Sequence, residues 1–208
     1  MPSKYIFGYG SLIQIESRTR TVPSAFAAAP AVVTGITRGW YYQAASASLN
    51  PTYLGAIDSN NATTNGVIYG VTNSEFEATK LREADYDPKM IDRSAITMLD
   101  GSPAPPDGEI WYFASKTKQT ANALHPIVQS YVDICVDGCL EIEAMYPLAK
   151  KASFAEQFIR TCTDWKTPWI NDRIYPWRPF IYVPRASQID ALLRKELGDE
   201  LFNKISLP

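Results

Sequence analysis

Few side chains in this chain are suited to covalent or acid–base chemistry. It holds one histidine, His125, and three cysteines, Cys135, Cys139 and Cys162. A zinc site built on these would need carboxylates to complete it, so buried, reduced thiols are the reading they support. His125 precedes Pro126 at an expected helix start, and no Cys–His or Ser–His pair is assigned to it. The carboxylate that stands out is Glu83, in Lys80-Leu81-Arg82-Glu83-Ala84-Asp85-Tyr86 at the end of an expected short helix. A carboxylate there faces the negative end of the helix dipole, which opposes ionisation and raises its proton affinity. Such a group is a better general base than an exposed glutamate. On these residues alone, a solvated glutamate pairing weakly with Arg82 is the plainer reading.

A second chemical element needs no side chain. Tyr5-Ile6-Phe7-Gly8-Tyr9 has the content of a strand, and Gly10-Ser11-Leu12 breaks it. A strand that ends in a small-residue turn presents backbone N–H groups that the sheet does not use. These can hold a carboxylate or a developing oxyanion. Taken alone, a strand followed by a tight turn is the plainer reading of this stretch.

The elements that must position these groups follow from the patterning. Gln14 to Pro30 reads as a long irregular connection, and Ala31 to Gln43 as a strand bent at Gly35 and Gly39. Ser46 to Asn50 leads into a short strand at Tyr53 to Ile57. A polar turn at Asn60 to Gly66 and a strand at Val67 to Val71 follow. Asn73 or Ser74 caps a helix whose inner face is Phe76, Lys80 or Leu81, and Ala84, and which ends before Pro88. Strands return at Met90 to Leu99 and Gly108 to Ala114. Helical spacing then runs over Pro126 to Tyr146, Ser153 to Thr163 and Ser187 to Lys204. The expected class is α+β: a curved, mixed, mostly antiparallel sheet or small barrel with an inserted helix, then C-terminal helices. The expected division is a catalytic domain over 1–146 and a helical, Trp/Pro-rich extension over 147–208 packed on it. At 208 residues, either one domain or one domain with such an appendage fits.

A net charge of −2 and an acidic balance argue against nucleic acid or an anionic membrane as partner. No apolar run is long enough to cross a bilayer, and no leader pattern opens the chain, so the expected compartment is the cytoplasm. Without a phosphate-binding glycine loop or a metal-ligand cluster, no cofactor is expected.

Four pieces together resemble a known family. FGYGSL, GVIYGV leading into a helix, READY, and a later helix with Ser130, Tyr131 and Gly138 occur in the order seen in the gamma-glutamylcyclotransferase superfamily. Its glutathione-specific ChaC branch also opens with a strand ending in YGSL and carries an Arg-Glu pair after a helix. The resemblance covers about residues 4–140. YGSL followed some seventy residues later by Arg-Glu-x-x-Tyr is far more specific than either piece alone. The resemblance implies a metal-independent reaction. The α-amine of a γ-glutamyl group attacks its own side-chain amide, giving 5-oxoproline and a free amine or amino acid. It assigns the glutamyl head to Tyr9, Gly10, Ser11 and Leu12, the general base to Glu83, and nearby positions to Tyr86 and Tyr131. The implied partner is a small γ-glutamyl compound, glutathione among the candidates. A γ-glutamylamine or antibiotic-processing variant, and a non-catalytic binding module on the same fold, are the alternatives. Asp85 departs from the family, which usually has glycine there, and is expected to face solvent. In the tail, Arg173, Arg178 and Arg185 among Trp165, Trp169 and Trp177 are candidates for a second carboxylate site. The plainer reading is an aromatic layer covering the sheet.

Overall fold

In the computed structural model the described residues are 2–44, 50–177 and 185–207. The first strand, β1 (Lys4–Gly8), lies inside the sheet rather than at its edge. It is followed by a 3₁₀ turn at Ser11–Ile13 and a short helix, α1 (Ile15–Thr19). Two long strands come next, β2 (Ala29–Gln43) and β3 (Thr52–Val71), then α2 (Asn73–Arg82). Shorter strands β4 (Tyr86–Met90), β5 (Ile96–Met98) and β6 (Glu109–Ser115) complete the main path, whose order is β4-β6-β1-β3-β2-β5. β1 pairs antiparallel with β3 (Ile6 opposite Tyr69) and parallel with β6 (Ile6 opposite Trp111). The fold is therefore α+β on a curved, mixed, mostly antiparallel sheet, as expected.

The second half adds β7 (Ile127–Val128), α3 (Gln129–Met145), α4 (Pro147–Lys151), α5 (Phe154–Thr161), β8 (Cys162–Thr163), β9 (Trp169–Ile170), α6 (Ala186–Leu197) and α7 (Asp199–Phe202). α3 is buried on nearly every side from Gln129 to Leu140. Its two internal aspartates are paired accordingly. Arg173 bridges Asp133 and Asp190 at 2.7 and 2.8 Å, and Arg185 reaches Asp137 at 2.6 Å. Gly138 lets α3 approach the segment after the 3₁₀ turn. A Cβ there would lie 2.5 Å from the Gln14 nitrogen.

Several expectations are corrected. Gln14 to Pro30 is not structureless: it carries α1, and the buried Arg18 donates to the carbonyls of Ile13, Ala25 and Phe26, tying the segment together. The polar stretch Asn60 to Gly66 is not a turn between two strands but part of the continuous β3. The β2–β3 register slips there, from Thr34 opposite Thr63 to Ile36 opposite Asp58, and Gly35 takes φ +93°. An irregularity absorbs the polar residues that looked like a turn. α2 is capped one residue earlier than expected, by Thr72, in a reciprocal capping box with Glu75. Its buried residues are Phe76 and Thr79, whereas Leu81 is 81 % exposed. Pro88 lies inside β4, and the helix has already stopped at Arg82. The strand expected over Met90 to Leu99 is instead the end of β4, a 3₁₀ turn at Arg93–Ala95, and β5. His125 sits in a turn bridged to Asn122, ahead of β7 rather than at a helix start. The last helix is broken in two at Gly198, which takes φ +82°. The lead-in at Ser46 falls on residues 45–49, outside the described residues.

Candidate active site

β1 delivers its C-terminal end to a narrow cavity of about 30 Å³, lined by Phe7, Tyr9, Gly10, Ser11, Leu12, Leu54, Glu83, Tyr86, Phe113 and Tyr131. All seven residues singled out from the sequence line this one cavity: Tyr9, Gly10, Ser11, Leu12, Glu83, Tyr86 and Tyr131. They arrive from the β1 end, the α2 end, the start of β4 and the first turn of α3. A wider cleft of about 320 Å³ opens beside it, walled by Tyr42, Tyr53, Arg82 and Asp85. Ser11, Glu83, Tyr86 and Tyr131 border both spaces.

Each wall has a local cause. The Ile13 N–H closes onto the Gly10 carbonyl at 2.9 Å, so the amides of Ser11 and Leu12 open the 3₁₀ turn and are not consumed by it. A Cβ on Gly10 would come within 3.2 Å of the Tyr131 hydroxyl, so only a glycine leaves both in place. The Tyr9 carbonyl accepts from Nη1 of Arg38 at 3.0 Å. That guanidinium is fully buried and also donates to Asn65, Phe158 and Thr161. The Tyr9 hydroxyl donates to the Phe113 carbonyl, fixing β1 against β6 from the side-chain end. Burial, with Glu83 and the neighbouring tyrosines adding to it, holds that hydroxyl well above its ordinary pKa. The Tyr86 hydroxyl donates to the Leu54 carbonyl at 2.9 Å and is pushed up for the same first reason. Its hydroxyl is enclosed although part of its ring meets the cleft. Both phenols are thus neutral, with their protons engaged on backbone carbonyls. They can shape the cavity and accept a hydrogen bond, but they are poorly placed as acids.

Glu83 occupies the C-cap of α2, and its amide still bonds to the Thr79 carbonyl at 2.9 Å. Its side chain is 18 % exposed and ion-paired with Nε of Arg82 at 3.1 Å. The sequence suggests a weak surface pair here; the structure makes it a fixed one. Arg82 spends its other nitrogens on α1 and the residues after it: Nη1 on the Ser17 carbonyl (2.6 Å) and Thr21 Oγ1 (3.2 Å), Nη2 on Ser17 Oγ (3.0 Å). The guanidinium therefore holds the Glu83 carboxylate at the boundary of the two spaces. No spacing in the sequence pairs Ser17 or Thr21 with Arg82, so this anchor was not legible beforehand.

Asp85 does not simply face bulk water. It is exposed but lines the cleft, accepting from the Tyr42 hydroxyl at 2.6 Å. Arg173 and Arg185 line neither space, since both are committed to aspartates of α3. Arg178 lies outside the described residues. The tail forms the aromatic layer instead. Trp165 packs between Trp40 and Trp169 at centroid distances of 5.0 and 5.2 Å, and Trp40 in turn meets Tyr131 edge-on at 6.1 Å.

The three cysteines are buried and reduced. Burial pushes the Cys162 thiol up to about 12. Among the described residues no three His, Cys, Asp or Glu side chains gather in a way that could hold a metal ion. Nor is any helix long and apolar enough to cross a membrane.

No family model matches the sequence, and no curated protein matches it. Solved structures do. One, of an uncharacterized protein from Homo sapiens, superposes with a TM-score of 0.54 at 16 % identity, over 72 % of this chain and 85 % of that one. A structure described as gamma-glutamyl cyclotransferase gives a TM-score of 0.53 at 15 % identity, with the same coverage of both chains. At such identity the likeness is one of fold: this chain has the gamma-glutamyl cyclotransferase-like fold.

Proposed function

We propose that the chain is an enzyme of the γ-glutamylcyclotransferase type, converting a γ-glutamyl amide to 5-oxoproline and a free amine. The observation that carries this reading is the convergence of Tyr9–Leu12, Glu83, Tyr86 and Tyr131 on one cavity that adjoins a larger cleft. The Tyr9–Leu12 side of these spaces is assigned to the glutamyl head, and the cleft side to the leaving amine. The α-amine nitrogen bonds to the side-chain carbonyl carbon, and the amide C–N bond breaks. The proton lost by the attacking nitrogen ends on the departing one. Glu83, at the boundary of the two spaces, is the group that accepts and then returns it. The amides of Ser11 and Leu12 supply donors for the oxygen that becomes negative between the two steps. Ring closure to five members is intramolecular, so holding the folded conformer in a rigid cavity supplies much of the acceleration.

The test is 5-oxoproline release from γ-glutamyl dipeptides, glutathione and γ-glutamyl amines, with a folded Glu83→Gln variant alongside. Turnover should fall by about 10²–10⁴-fold in the variant, the usual worth of a general base. Full turnover in Glu83→Gln would remove Glu83 from the mechanism. Absence of release from every compound by the unaltered protein would refute the reaction.

A further inference from the structure

The cleft beside the narrow cavity has a chemistry of its own. Tyr42 stacks on Tyr53 at 6.4 Å between ring centroids and meets Tyr86 at a tilt at 4.8 Å, and Tyr53 meets Tyr131 at a tilt at 4.6 Å. Four tyrosine rings therefore form a continuous wall. Asp85 stands on it, held by the Tyr42 hydroxyl, and Glu83 lies at its inner end. Among the described residues Arg82 is the one cation lining the cleft, and its nitrogens are taken by Glu83, Ser17 and Thr21. Lys116 is turned onto the Ala84 carbonyl at 2.8 Å and is not part of the lining. A leaving group ending in a carboxylate would meet an aromatic face and two acids, with no open cation among the described lining residues to receive it. An ammonium would meet ring faces that attract cations and a carboxylate at their rim.

We propose that this cleft selects γ-glutamyl amides whose leaving amine bears a second, cationic amino group, a diamine or polyamine, over those whose leaving group ends in a carboxylate. The proposal rests on the cyclotransferase reading and assigns the leaving-group side of that same site.

Three amides of the glutamate γ-carboxyl with matched chains test it: those of 1,5-diaminopentane, hexylamine and 6-aminohexanoic acid. The expected order of kcat/KM is ammonium, then neutral, then carboxylate, with at least about tenfold between the first and last. Asp85→Asn should narrow that ratio severalfold, and added salt should narrow it in the unaltered protein, because Asp85 is exposed. Equal or better turnover of the carboxylate amide, or a ratio unmoved by Asp85→Asn, would overturn the cleft assignment and leave the cyclotransferase reading standing. If no amide releases 5-oxoproline, the reaction itself fails. Titration calorimetry with the same three compounds then decides the cleft. An affinity preference for the ammonium that Asp85→Asn removes sustains the assignment, and equal or absent binding overturns it.

Discussion

Replacing Gly138 by alanine sets two physical effects against each other. Gly138 is well inside α3, where alanine is ordinarily better than glycine by about 1 kcal/mol. On helix propensity alone, the variant should be the more stable protein. Packing gives the opposite sign. The new Cβ would stand 2.5 Å from the Gln14 nitrogen, 2.7 Å from its Cα and 2.9 Å from the Ile13 carbonyl carbon. Ordinary contact begins at 3.4 Å, so the segment must retreat by about 0.9 Å. All three atoms are main chain, and no rotamer change can relieve them. Overpacking of this kind costs up to about 3 kcal/mol, leaving the variant less stable by about 2 kcal/mol after the propensity gain. For a chain of this size that is a melting temperature lower by about 4–8 °C.

The displaced segment directly follows the turn that presents the Ser11 and Leu12 amides. A shift near 1 Å at the reacting geometry costs about 10²-fold, so 5-oxoproline release should fall by one to two orders of magnitude in protein that is still folded. Urea or thermal unfolding gives the first number and initial rates give the second. A variant that melts higher than the parent with full turnover would refute the tight seam between α3 and the loop.

Other perturbations test the surrounding framework. Arg173→Met leaves Asp133 buried without its partner and should destabilise by about 3–5 kcal/mol in urea. Burial already shifts the Asp133 pKa upward despite that pairing, so its charged form costs stability as pH rises. Loss of Arg173 enlarges that shift, and the penalty should shrink from neutral pH toward pH 4 as Asp133 takes up a proton. A pH-independent penalty would contradict this. Tyr9→Phe removes the hydrogen bond to the Phe113 carbonyl and should cost about 1–2 kcal/mol by the same unfolding assay. Arg82→Leu should lower kcat by about ten- to a hundredfold, with partial rescue by Arg82→Lys, because Arg82 positions Glu83. A thiol reagent at pH 8 should find no fast-reacting cysteine in the native protein and three after denaturation.

The parts of the fold that the sequence reveals are those in which local pattern and tertiary role agree. The helical period from Val128 to Met145 survives because α3 is apolar on several faces. The FGYGSL stretch reads correctly as a strand running into a turn. Misreadings come where a distant partner decides. Asn60 to Gly66 has turn composition, yet Gly35 on the neighbouring strand accommodates it within β3. Leu81 looked like a core residue by type, but Thr79 is the one that the helix turns inward. Glu83 was legible as a helix-end carboxylate; its anchoring through Arg82 to Ser17 was not, because that contact spans 65 residues. Arg173 and Arg185 look free in sequence because their aspartate partners on α3 stand 40 and 48 residues away.

The short loop that forms the narrow cavity owes its shape to its surroundings more than to its own residues. Arg38 holds the Tyr9 carbonyl from beneath, Phe113 holds the Tyr9 hydroxyl, and the bare backbone of Gly138 presses on Gln14. Tyr131, above Gly10, is fixed by ring contacts through Trp40 to Trp165. A reaction that depends on holding one folded conformer gains from such rigidity, since any slack in the amides lowers the fraction of bound substrate ready to close. The layer built by the tail therefore acts on the site at one remove, through the position of Tyr131. Thinning it, as Trp165→Leu would, should loosen the cavity before it unfolds the sheet. The expected signature is turnover that falls at temperatures where circular dichroism is still native. Turnover and secondary structure lost together would mean that the layer serves stability alone.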